Sequence, residues 1–116
     1  MANGQAAAPP SASEIVASLG AAADAARQAY LAALAANPGA DLSDLYKNEM
    51  VAAAIWSAAE NKALNGDPKV KAVQTALDAA TQNTRNKLGT LKDVAQWIDL
   101  VDGLVQLAMA VSKFFV

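Results

Sequence analysis

Two carboxylates three residues apart, Asp99 and Asp102, are the nearest this sequence comes to a catalytic pair. Three residues along a helix sets side chains on neighbouring faces. Such a pair would need an opposed acid, a third ligand or a nucleophile in front of it, and nothing nearby supplies one. Glycosidase chemistry in particular wants two acids across a cleft. The two aspartates therefore read as a solvated polar edge. The chain contains no histidine and no cysteine. That removes the Ser-His-Asp triad, the imidazole base, the thiol nucleophile, imidazole- and thiolate-ligated metals, and disulfides. Tyr30 and Tyr46 read as packing residues with a wet hydroxyl. The expectation is a non-catalytic protein with no cofactor and no metal site. Nucleic acid is disfavoured as a partner too: the net charge is −2, and the nine basic residues are scattered rather than gathered into one face.

The elements that carry these residues are helical throughout. About a quarter of the 116 residues are alanine, and no run of alternating β-branched residues competes for strand. Ser11 and Glu14 form a capping-box pattern that opens the first helix, and Asn37-Pro38-Gly39 closes it. Asp41 and Asp44 place acid at the start of the second, and Asn65-Gly66 reads as its stop. Asp67-Pro68 introduces the third, Leu88-Gly89 ends it, and Thr90 is the expected cap of the fourth. These signals predict an all-α fold, an up-down-up-down antiparallel four-helix bundle with helices over about 12–36, 42–65, 68–88 and 91–115. Residues 11–116 form a single domain behind a disordered leader at 1–10, which lacks the basic and apolar regions of a secretory signal. Connections of about five, two and two residues make consecutive helices antiparallel neighbours.

Apolar bulk is unevenly shared. In the first helix Ile15, Val16, Leu19, Ala23, Ala26, Tyr30 and Leu34 make a thin stripe, with Glu14, Ser18, Asp24 and Gln28 opposite. In the third, Val70, Val73, Leu77, Ala80, Thr84 and Leu88 face inward, and Lys71, Gln74, Asp78, Gln82 and Arg85 outward. The last segment is apolar over most of its circumference, with one polar line through Lys92, Gln96, Asp99, Gln106 and Lys113. A helix of that kind must be covered, so it reads as the central post of the bundle. A transmembrane span is not expected, because Asp99 and Asp102 fall inside the apolar run. Trp97, Phe114 and Phe115 serve either as core anchors or, if the helix lies on a bilayer, as peripheral membrane anchors.

The second segment has the least definite phase. Leu42, Tyr46, Met50, Ala53 and Trp56 make one stripe, while Val51 and Ile55 project from nearly the opposite side. Val51, Ile55 and Trp56 are the candidate interaction surface, tryptophan being enriched where proteins bind one another. The run Trp56-Ser-Ala in a helical hairpin resembles the WXG-type secreted helical proteins, with Ala58 where that motif has glycine. Leu34-Ala-Ala-Asn-Pro38 followed by Leu42 and Tyr46 resembles the turn of type III secretion needle subunits. Neither resemblance brings a functional residue with it. The expected function is protein–protein contact by a small helical bundle, with a homo-oligomer as one form of it, in the cytoplasm or after export without a cleaved Sec signal, in the manner of a bacterial secreted or surface-associated protein. The alternative is a lipid-surface-binding protein that uses its C-terminal helix.

Overall fold

The structure, a computed structural model, describes residues 10–91 and 93–116. The leader up to residue 9 and Lys92 of the polar line lie outside the described residues. Four helices follow in order: α1 (Ala12–Ala36), α2 (Ser43–Ala59), α3 (Val70–Asn86) and α4 (Val94–Ser112). Local chemistry sets most of their ends. The Ser11 hydroxyl accepts from the Glu14 amide at 3.2 Å while the Glu14 carboxylate accepts from the Ser11 amide at 3.0 Å, so α1 starts on a complete capping box. Asp41 accepts from both the amide and the hydroxyl of Ser43 ahead of α2. Asp67 accepts from the Lys69 amide, one turn before α3 is regular.

The ends of α2 and α4 differ from the sequence reading, α4 also stopping at Ser112 rather than about 115. The cap of α4 is Asp93, whose carboxylate accepts from the Ala95 amide at 3.1 Å. Thr90 instead donates its hydroxyl back to the Lys87 carbonyl and closes the preceding turn. The second helix stops at Ala59, six residues before the Asn65-Gly66 signal. Beyond it a turn at Glu60 and Asn61 leads into a segment that pairs with the C-terminal residues: the Asn65 amide donates to the Phe114 carbonyl and the Val116 amide to the Ala63 carbonyl, both at 2.8 Å. Those bonds satisfy groups that three more half-turns of helix would have used, and they free residues 60–69 to bridge. Gly66, at φ 83, makes its turn inside that bridge rather than at a helix end.

The helix directions alternate as expected, but the neighbours do not follow chain order. Ser18 meets Gln74, and further along both helices Asp24 meets Arg85, so α1 and α3 run parallel. Tyr30 stacks near Tyr46 while Gly20 lies under Trp56, so α1 and α2 run antiparallel. α1 and α4 each touch all three other helices, whereas α2 and α3 do not touch. The link at 60–69 therefore crosses one end of the bundle diagonally, and the predicted two-residue α2–α3 hairpin is replaced by this crossover. The result is a flattened body of 55 × 30 × 16 Å.

The centre is shared between two helices rather than held by α4 alone. α4 contributes bulk: Trp97, Val101, Leu104, Val105, Ala108 and Val111 are all buried. α1 contributes closeness, because Ala22, Ala25, Ala26, Ala29 and Ala33 are fully covered and let the axes approach. Ser18 and Gln74, both assigned to outward faces by the sequence pattern, are buried in the α1–α3 seam. There the Gln74 side-chain amide donates to the Ser18 hydroxyl at 3.1 Å.

Candidate interaction surface

α2 is the most thinly buried helix of the four. Its covered positions are Leu45, Ala52 and Ala59, seven residues apart, which is a single narrow line down one side. Touching only α1 and α4, it leaves four large apolar side chains in solvent: Tyr46, Met50, Val51 and Trp56, from 36% to 54% exposed. The stripe read in the sequence, Leu42, Tyr46, Met50, Ala53 and Trp56, is thus largely outside. Only Leu42 of that set is buried.

Val51 and Ile55 lie along one groove. Its walls are Val51, Ala54, Ile55, Ala58, Ala59 and Lys62 on the α2 side and Ser112 and Phe115 on the α4 side, and it encloses about 330 Å³. Lys62 is the one charged side chain in that lining. Phe115 is itself pinned by the pairing of Ala63–Asn65 with Phe114–Val116, so the bridge that ends α2 early also builds the floor of the groove. Trp56 is not part of it. Adjacent helical residues point about 100° apart, and Trp56 turns to the other side of α2. There it covers Gly20 beside Ala23, Asp24, Arg27, Glu49 and Ala53. The predicted three-residue surface therefore resolves into two depressions on opposite flanks of one helix.

The residues weighed as membrane anchors sit inward. Trp97 is fully buried, Phe115 is 8% exposed, and Phe114 packs half-buried against the core. Val94–Ser112 is nevertheless long and apolar enough to cross a membrane by length and composition, with a mean hydropathy of 1.4 and a third of that stretch buried. Asp99 and Asp102 are both exposed, and among the described residues no group of three or more potential metal ligands converges. Tyr30 and Tyr46 face each other at 5.4 Å between ring centres and tilt by 53°, a packing contact across α1 and α2.

Charge around these features is local. Arg27 approaches Glu49 at 4.0 Å and Arg85 approaches Asp24 at 3.7 Å, pairs of a type that contributes little when solvated. The Ser11 amide and then its hydroxyl hold the Glu14 carboxyl below its ordinary value of 4.5. The Ser43 hydroxyl and then its amide hold Asp41 below 3.8. Both belong to helix caps, and neither faces the groove.

The groove's second wall escaped the sequence reading, because the Leu64–Phe115 pairing joins segments distant in the chain. The buried Ser18 left a signal: it falls three residues after Ile15 and four before Ala22, on the line of two core positions. No protein-family model matches this chain, and no curated protein or solved structure matches it significantly.

Proposed function

We propose that this is a small non-catalytic helical-bundle protein that acts by protein–protein contact, through the outer face of α2 and the groove that α2 shares with α4. The observation that carries the reading is the concentration of exposed apolar side chains on that one helix, Tyr46, Met50, Val51 and Trp56, next to a concave apolar lining. Exposed apolar side chains gathered beside a concave lining support a place where another surface is received. The absence of histidine and cysteine and the solvated position of Asp99 and Asp102 support the non-catalytic part.

A photoreactive residue placed at Ala54, on the groove wall, tests this against the same residue at Gln82 on the exposed side of α3. Covalent adducts from position 54 and none from position 82 are expected on irradiation in cells. Equal yields from both, or none from position 54, would overturn the assignment. The composition of α4 favours a second reading, contact with a lipid surface. Co-flotation of the full chain with anionic or neutral liposomes, with a change in tryptophan emission, would move that reading ahead.

A further inference from the structure

The groove face of α2 carries a symmetry of its own. Asp44 lies nine residues before Ala53 and Lys62 nine residues after it, while Val51 and Ile55 lie two residues either side. At 3.6 residues per turn, positions 44, 51, 55 and 58 of α2 fall within about 60° of arc, and Lys62 follows three residues past its last residue, Ala59. The structure agrees on the last four, since Val51, Ile55, Ala58 and Lys62 line one groove. The face thus reads acid, apolar, apolar, base, with the apolar pair centred between opposite charges. Asp44 and Lys62 are both exposed. The ion pairs among the described residues are Arg27–Glu49 and Arg85–Asp24, so neither Asp44 nor Lys62 is engaged.

We infer that the occupant of this face is a second copy of the same chain, its α2 laid antiparallel on the first about a two-fold axis that crosses the groove face level with Ala53, whose own side chain lies on the opposite flank. In that pairing Asp44 of each copy meets Lys62 of the other, giving two identical ion pairs at the ends. Val51 of each copy meets Ile55 of the other in the middle. A two-fold contact must be self-complementary, with residue i meeting j and j meeting i. An antiparallel pairing of α2 turns the acidic start of each face, at Asp44, toward the basic end of the other, at Lys62. A parallel pairing would set Asp44 against Asp44 and Lys62 against Lys62, so the charge pattern selects the direction as well as the partner. The inference rests on the proposed role of α2 as a contact surface and names what that surface receives.

Sedimentation of the full chain over a concentration series tests it, with Asp44→Lys, Lys62→Asp and the double exchange. The wild type should dimerise. Each single reversal should raise the dissociation constant about ten-fold at low salt, since two attractive pairs become two repulsive ones. The double exchange should restore affinity, and the single-variant effects should shrink in high salt. Both positions are exposed, and circular dichroism checks that each variant folds. Ala54→Cys supplies an independent readout in a chain with no native cysteine: a short bis-maleimide should link two copies, and should not do so for Asp78→Cys on α3. A monomer at all concentrations, indifference to single reversal, or a double exchange weaker than either single would overturn the pairing. A monomer that still forms photo-adducts of another mass from position 54 would refute self-pairing and keep the contact surface. A monomer with no such adducts would refute both.

Discussion

Replacing Gly20 and Gly103 by alanine, one at a time, separates helix propensity from packing in the same molecule. Each lies inside a helix, so each substitution should gain about 0.5–1 kcal/mol from backbone entropy alone. At Gly103 nothing lies within 4 Å of the new methyl group. That variant should show the gain undiminished, roughly 3 °C in midpoint for a chain of this size. At Gly20 the methyl would sit 3.0 Å from both Cε2 and Nε1 of Trp56. The indole is 38% exposed, so displacing it forfeits cover over about three-fifths of roughly 200 Å². At about 25 cal/mol per Å² the upper limit of that loss is about 3 kcal/mol. A shift of a few tenths of an ångström forfeits only part of it, so Gly20→Ala should end between neutral and about 2 kcal/mol destabilised. Urea titration gives the free energies, and acrylamide quenching reports the tryptophans. Trp97 is fully buried, so any rise in quenchable emission belongs to Trp56. Equal stabilisation at both glycines with unchanged quenching would refute the packing of Trp56 on Gly20, and with it the α1–α2 register.

Ser18→Ala removes the acceptor for the Gln74 amide, whose Oε1 is already buried without a partner; it should cost about 1–3 kcal/mol in denaturant titration, while Ser18→Ala with Gln74→Leu should recover most of that loss. The Glu14 carboxyl is held low in the folded state by Ser11, so its contribution is present above the ordinary value of 4.5 and is lost as pH falls through the folded value. Midpoints measured from pH 7 down to pH 2 should fall less steeply for Glu14→Gln than for the wild type. Leu104→Asp, at a position 1% exposed, should abolish cooperative unfolding and near-native helix content, because an unpaired charge would be buried. Gln106→Asp on the exposed line of the same helix should leave both within about 0.5 kcal/mol of wild type.

How much of this was legible depends on what kind of residue carried the signal. α1 ends where its capping box and Asn37-Pro38-Gly39 say it should, because those signals act within a turn of the residues they govern. The inward line of α3 is met at Val70, Leu77 and Thr84, since valine and leucine differ enough from lysine and aspartate to define a face, but Gln74, placed outward, and Thr81 are buried beside it. α2 lacks that contrast. Between Met50 and Ala59 it has no charged residue, so periodicity cannot choose a side, and tertiary fit selects Leu45, Ala52 and Ala59 over the bulkier Tyr46 and Met50. The crossover is invisible for a different reason. Asn65-Gly66 is a genuine turn signal, but its helix has already ended at Ala59 so that Leu64 can pair with Phe115, fifty-one residues away. A pairing at that separation leaves no local pattern.

The misplaced surplus follows from the same geometry. The sequence puts excess apolar surface on α4 and asks what covers it. In the fold, α4 takes the position that touches every other helix, and α1 can share that position because its alanines let the axes come close. Two helices at the centre of four leave two at the edges that never meet. α3 suits an edge, since Lys71, Asp78 and Gln82 solvate its outer side. α2 suits it less: beyond Asp44 and Lys47 its outer side is Met50, Val51, Ala54 and Ala58. The apolar excess is therefore transferred from the helix that holds it in sequence to the helix that the crossover leaves at the edge. Covering α2 within the monomer would require α3 beside it, which the diagonal link and its pairing with Phe114–Val116 prevent. On the proposed reading of α2 as a contact surface, its cover comes from outside the chain, and the acidic start and basic end of the groove face, Asp44 and Lys62, suit the same face on another copy laid antiparallel.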